Sequence, residues 1–211
     1  MLPSPSNMKW KDVSKILDGK LPSTNILPTV EGETLSDWLK HDMKRYSKVL
    51  TNRSEMEATI RVLSVVMEVV MEAVEEHPDI KIELQPSFPN HATYTDFLIY
   101  LSSSGGSPLL IIEVKNSDVS TIFGENDCTA QVLREAHITL QDEKCNRQKL
   151  PFILTNGAIW SVGIAVKDAH KIKITECSLA AVLYKEELTD IAEIKTMCSL
   201  LTKIKALISI S

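Results

Sequence analysis

The sequence predicts an α/β domain with a central mixed sheet of four or five strands flanked by helices. Three observations lead there. Apolar residues recur at helical spacing from Ser54 to His77. Past Pro78 the period switches, because Ile80, Ile82 and Leu84 alternate with Lys81, Glu83 and Gln85 as in a strand. Two short apolar runs then follow, Asp96-Phe-Leu-Ile-Tyr-Leu and Leu109-Leu-Ile-Ile-Glu-Val-Lys, which read as adjacent strands covered on both faces.

Taken in order, residues 1–33 carry Pro3, Pro5, Pro22 and Pro28 among Ser, Thr and Asn, the composition of a mobile or loosely packed arm that Trp10, Ile16 and Leu17 could dock. Residues 34–211 form the single domain. A helix is expected from Thr34, with Leu35, Trp38, Leu39, Met43, Tyr46, Val49 and Leu50 inward and Lys40, Lys44, Arg45 and Lys48 outward. The long helix starts at Ser54, where Glu57 three residues on completes a capping box. Its buried stripe is expected to be Met56, Ile60, Leu63, Met67, Val70 and Val74, and His77-Pro78 ends it.

The Ser102-Ser-Ser-Gly-Gly-Ser-Pro segment is the turn between the two apolar strands. Helical spacing returns over about 125–141, with Leu133, Ala136, His137 and Leu140 on one side, and this helix is expected on the same face of the sheet as the long one. Pro151-Phe-Ile-Leu-Thr and Ala158–Val166 flank Asn156-Gly157, the signal of a two-residue type I′ hairpin. Residues 174–186 are ambiguous, with one more strand as the expectation. A last amphipathic helix runs over about 189–208, with Ile191, Ile194, Met197, Leu201, Ile204 and Leu207 inward.

Composition narrows the function. The 211 residues, 44% apolar and 24% charged, suit one globular unit with a real core. A formal net charge of -5 argues against a protein that coats nucleic acid nonspecifically, while leaving room for a local basic groove. No apolar run approaches the ~18 residues of a membrane span, and Met1-Leu-Pro-Ser-Pro-Ser lacks a signal-peptide pattern, so a soluble protein of the cytoplasm or nucleus is expected. Cys128, Cys145, Cys177 and Cys198 are far apart without zinc spacing and read as reduced structural thiols. Gly105-Gly106 lacks the following helix and lysine of a phosphate cradle, so nothing points to ATP.

The chemistry concentrates at the end of the two apolar strands. Residues two apart on a strand share a face, so Glu113 and Lys115 lie together, with Val114 opposite. Charges there are costly unless paired or metal-bound, because Leu109 to Ile112 look buried. Glu-x-Lys alone could be a strand leaving the core. Asp96 opens the neighbouring strand, however, and across a hairpin it can approach Glu113. Two carboxylates and a lysine are the parts needed for metal-assisted phosphodiester hydrolysis: carboxylates hold Mg²⁺ (or Mn²⁺), and the ammonium orients or deprotonates water and offsets developing charge.

With these residues in place, positions 54–166 resemble the PD-(D/E)xK nuclease superfamily, whose core runs helix, three strands, helix, strand. Thr95-Asp96 stands at that family's Pro-Asp and Glu113-Val-Lys115 at its (D/E)-x-K. Ala130-Gln131 and Leu154-Thr-Asn-Gly-Ala-Ile-Trp160 are similar to motifs of the N-terminal nuclease domain of type I restriction enzyme R subunits, although Glu135 stands where a tyrosine is frequent. The resemblance implies a restriction endonuclease-like fold and a Mg²⁺-dependent nuclease, with DNA ahead of RNA as substrate. Asp96 and Glu113 would be metal ligands, Lys115 would activate or orient water, and Gln131 would help place it. It further implies a carboxylate from the first core helix, for which Glu57 is the candidate and Glu68 the reserve.

Lys44, Arg45 and Lys48 are candidate nucleic-acid contacts, as is His91, which lies in the connection to Asp96; each has an alternative as an ordinary solvated side chain. His137 reads as a satisfied core histidine and Cys128 as a buried thiol. The rival to the enzyme is a catalytically silent module of the same fold that binds nucleic acid or protein. A homodimer or larger complex is also open, the apolar Ala206-Leu-Ile-Ser-Ile-Ser tail being a possible contact.

Overall fold

The computed structural model describes residues 2–30, 34–50, 54–86, 95–103, 105–116, 124–142, 145–182 and 191–209. Among these residues four α-helices flank one seven-stranded sheet. The helices are α1 (Asp37–Val49), α2 (Glu55–Glu76), α3 (Asp127–Gln141) and α4 (Ile191–Ile208). The strands are β1 (Asn25–Ile26), β2 (Ile80–Leu84), β3 (Phe97–Leu101), β4 (Ser107–Val114), β5 (Lys149–Thr155), β6 (Ile159–Asp168) and β7 (Lys171–Ala181). Their spatial order is β1-β7-β6-β5-β4-β3-β2. The sheet is therefore larger than the four or five strands expected, because the ambiguous segment pairs fully with β6 and the N-terminal segment adds a short edge strand to β7.

The sheet is mixed for a topological reason. Hairpins make β2–β3–β4 and β5–β6–β7 antiparallel, whereas β4 and β5 run parallel because α3 carries the chain back between them. That parallel pair is central and dry: every residue of β4 and all of β5 except Lys149 are buried. No described helix is long and apolar enough to cross a membrane.

Alternation along β4 divides the core in two. Leu110, Ile112 and Val114 join α1, α2 and α4 in one apolar layer, while Ile111 joins α3, β5 and β6 residues in the other. The long helix and the Gln131 helix thus cover opposite faces, which corrects the expectation that they share one. The reason lies in α3, whose residues from Thr129 to Leu140, apart from Gln131, are all buried. The N-terminal segment packs on the α3 layer through Met8, Val13, Ile16 and Leu17, so the proline-marked arm is docked.

Within α2 the expected stripe is displaced. The buried set is Ala58, Val62, Val65, Val66, Val69 and Val70, with Arg61 and Ser64, whereas Met56 is 66% exposed. Both sets have helical spacing, since this helix is apolar nearly all round; small and β-branched side chains turn toward the sheet. On α1 the buried residues are Leu39 and Met43, while Trp38 and Val49 are exposed.

The Asn156-Gly157 hairpin also differs from the type I′ turn expected. Only Gly157 has positive φ, and Asn156 Oδ1 closes a longer loop by accepting from the Ala158 and Ile159 amides at 3.0 and 2.8 Å. The loop rests on the start of α2: a Cβ on Gly157 would fall 3.5 Å from Ala58 O, and the conformation itself favours glycine. Trp160, fully buried, anchors the loop through Nε1–H to Gly157 O at 3.1 Å. Gly163 is required on β6 because Phe152 lies across from it; a Cβ would meet the ring at 2.3 Å.

Candidate active site

Three local features bring Asp96, Glu113 and Lys115 together. β3 and β4 pair antiparallel with Phe97 opposite Ile112, so Asp96 just before β3 lies beside the end of β4. Thr95 holds this approach by donating from Oγ1 to Ile112 O at 2.9 Å inside the core. Asp96 then accepts the Val114 N–H on Oδ2 at 2.7 Å, and the Lys115 N–H bonds Thr155 O of β5 at 2.8 Å. Backbone pairing therefore fixes the first carboxylate and the Glu-x-Lys segment relative to each other.

Glu113 shares the face of Ile111, the face that α3 covers. It is 2% exposed. Its Oε1 is paired with Lys115 Nζ and accepts from Gln131 Nε2 at 2.5 Å, while Oε2 is buried with no hydrogen-bond partner. Gln131 Nε2 also donates to Glu135 Oε1 at 3.1 Å, one helical turn along α3, and Glu135 Oε2 too is buried without a partner.

The electrostatics follow from burial. Desolvation raises Asp96 above its ordinary 3.8, outweighing the Val114 N–H and Lys115. Glu113 rises from 4.5 to about 7, because burial and the charge of Asp96 exceed the help of Lys115. Burial works against the Lys115 ammonium, but Glu113 more than offsets it and holds that group above 10.5. Glu135 is driven well above 4.5 by burial and by Glu113. The site is thus a cation-poor, carboxylate-rich cluster in which the acids ionise reluctantly.

The structure brings together Asp96, Glu113, Lys115 and Gln131 and adds two residues that sequence reasoning did not assign. One is Glu135, whose i+4 spacing from Gln131 was the available signal. The other is Glu55, the first residue of α2, whose charge raises the pKa of Asp96, Glu113 and Lys115 alike. Glu55 is therefore a first-helix carboxylate whose charge reaches the site. The Glu57 backbone N–H bonds Ser54 Oγ, the N-cap of α2, at 3.2 Å, and Glu68 accepts from Ser36 Oγ at 2.8 Å at the start of α1. Lys44, Arg45 and Lys48 are exposed on α1; His91 lies outside the described residues.

Away from the site, His137 is a satisfied core histidine: it accepts from Arg134 at Nδ1 and donates from Nε2 to His170 O, both at 2.8 Å. Cys128 is half-buried rather than buried, and all four cysteines are free.

Among the described residues no group of three or more His, Cys, Asp and Glu side chains is arranged to hold a metal ion. The donor chemistry nevertheless fits a hard cation. Mg²⁺ is commonly held by one or two carboxylates together with water and substrate oxygens, and the unpartnered Glu113 Oε2 beside Asp96 supplies such oxygens. Compared with protein-family models the chain matches no family, and compared with curated proteins it matches none.

Proposed function

We propose that this protein is a Mg²⁺- or Mn²⁺-dependent nuclease with a restriction endonuclease-like core, hydrolysing phosphodiester bonds of nucleic acid, DNA ahead of RNA. The observation that carries the reading is the convergence of Asp96, Glu113 and Lys115 on one face of two paired strands, with Lys115 turned in to Glu113 and Glu113 Oε2 left without a partner. The succession α2, β2, β3, β4, α3, β5 supports it, being the order of the family that the motifs resemble.

Asp96 and Glu113 would hold the cation, which when bound would polarise the phosphate and make its bound water more acidic. Asp96 is aimed by the Val114 N–H and Glu113 by Lys115 and Gln131. Lys115 Nζ would stand beside the attacking water, orienting it and offsetting the charge that grows on the phosphoryl oxygens. Strands β4 and β5 exclude bulk water from beneath the site. A bound cation would also relieve the cost of ionising two buried carboxylates, which gives burial at this point a use.

One observation favours the silent-module reading: Glu113 Oε1 is already satisfied by Lys115 and Gln131, so the ion pair can stand without a metal. Cleavage assays decide. Single- and double-stranded DNA and RNA are incubated with wild type and Lys115→Met, with Mg²⁺ or with chelator. Metal-dependent cleavage that falls at least about 100-fold in Lys115→Met supports the nuclease. Binding without cleavage of any substrate supports the module.

A further inference from the structure

Gln131 Nε2 donates to Glu113 Oε1 at 2.5 Å and to Glu135 Oε1 at 3.1 Å, so both hydrogens of its amide are committed to carboxylates. Glu113 Oε1 is paired with Lys115 Nζ and so acts as an acceptor; the reversed amide would set its oxygen against it, which favours Nε2 at that position. Glu113 and Glu135 are buried and Gln131 is half-buried, so the amide nitrogen is the end of the group that is tied to the buried carboxyls. One bond to Glu113 would leave the amide free to swing about its terminal torsion, because such sp³–sp² torsions are broad. The second bond removes that freedom. Glu135 is fully enclosed, lies one turn from Gln131 on the same helix, and forms no ion pair among the described residues; a carboxyl so placed is costly unless it does something there.

We propose that Glu135 is a positioning residue that locks the Gln131 amide, so that its NH₂ group holds Glu113 and its carbonyl oxygen is kept in a fixed direction as an acceptor for the attacking water. The water's part in this rests on the nuclease reading; the lock itself does not. Glu135, in the middle of α3, acts through Gln131 without touching substrate.

The test combines the side-chain amide resonances of Gln131, assigned by their loss in Gln131→Ala, with steady-state cleavage. In wild type both Nε2 protons are expected to be shifted from their free-amide positions and slow to exchange with solvent. In Glu135→Leu the proton that faces residue 135 moves to its free-amide position and exchanges at least tenfold faster. Glu135→Gln offers a carbonyl oxygen in the same place and retains the lock, and also serves if the leucine variant fails to fold. In turnover, Gln131→Ala and Glu135→Leu each lower kcat by roughly 10- to 100-fold with little change in KM, as lost positioning does, and the double variant is no worse than either. Glu135→Gln stays within about threefold of wild type. The proposal is overturned if the Gln131 protons are unaffected by Glu135→Leu, or if the two single losses multiply in the double variant. Release of the amide by Glu135→Leu in a protein whose wild type cleaves nothing would uphold the lock and remove the nuclease; cleavage with an unaffected amide would do the reverse.

Discussion

Replacing Glu113 by glutamine tests whether burial governs the site. The carboxyl has a pKa of about 7 in the fold against 4.5 ordinarily, so the native state holds its proton over a range in which the unfolded chain has released it. Stability from this group is therefore complete below pH 4.5 and declines as pH rises to about 7. At about 1.4 kcal/mol per pH unit, ionised Glu113 costs about 3 kcal/mol at pH 8 and under about 1 kcal/mol at pH 5. Glutamine keeps the shape without the charge. Glu113→Gln removes this pH dependence but also the counter-charge of the Lys115 ammonium, a loss common to both pH values, so its stability relative to wild type should rise by about 2–3 kcal/mol between pH 5 and pH 8. For 211 residues a change of that size is about 5 °C in Tm. Urea unfolding followed by circular dichroism, in chelator at both pH values, measures it. A relative stability that does not change with pH, or that falls as pH rises, would refute the reasoning.

Other positions give independent checks. Asp96→Asn keeps an acceptor for the Val114 N–H and should unfold close to wild type, whereas Asp96→Ala strands that amide and should lose about 1–3 kcal/mol by urea titration. Gly163→Ala drives a Cβ into the Phe152 ring, 2.3 Å from its nearest carbon, and should lose at least about 1–3 kcal/mol, with Phe152→Leu in the same chain restoring part of it. Burial, with a smaller push from the neighbouring Arg134 guanidinium, lowers the His137 pKa from 6.5; its contribution is present above 6.5 and lost as pH falls below that. Because Arg134 Nε–H also bonds Pro3 O at 3.1 Å, limited proteolysis of the N-terminal segment should speed up between pH 6.5 and 5, and this acceleration should vanish in His137→Gln.

The parts of the fold legible in the sequence were those decided locally. Ser54 caps α2 as its pairing with Glu57 indicated, and the alternation of Ile80–Leu84 and the two apolar runs became β2, β3 and β4. What periodicity does not decide is the phase of a helix this rich in apolar residues, so Met56, expected inward, is exposed, while Val62, Val65, Val66 and Val69 join the expected Val70 against the sheet. Nor could it tell which face α3 covers, because that helix is buried almost all round. The turn at Asn156 was misjudged because an asparagine that caps two amides with its side chain does not need a positive φ. At the site, Asp96, Glu113 and Lys115 were readable from strand register. Glu55 and Glu135 were not, since an acid in a first helical turn and an acid on a buried helix gain their meaning only from what the tertiary fold sets against them.

The most direct test of the nuclease reading is calorimetric titration of Mg²⁺ and Mn²⁺ into wild type and Asp96→Ala, with cleavage of DNA and RNA followed in the same buffers. The account predicts that wild type binds the metal and cuts, and that the variant, still folded by circular dichroism, does neither. A wild type that binds no metal and cuts no substrate would contradict it, leaving Asp96, Glu113 and Lys115 as a buried ion-pair cluster on a binding scaffold.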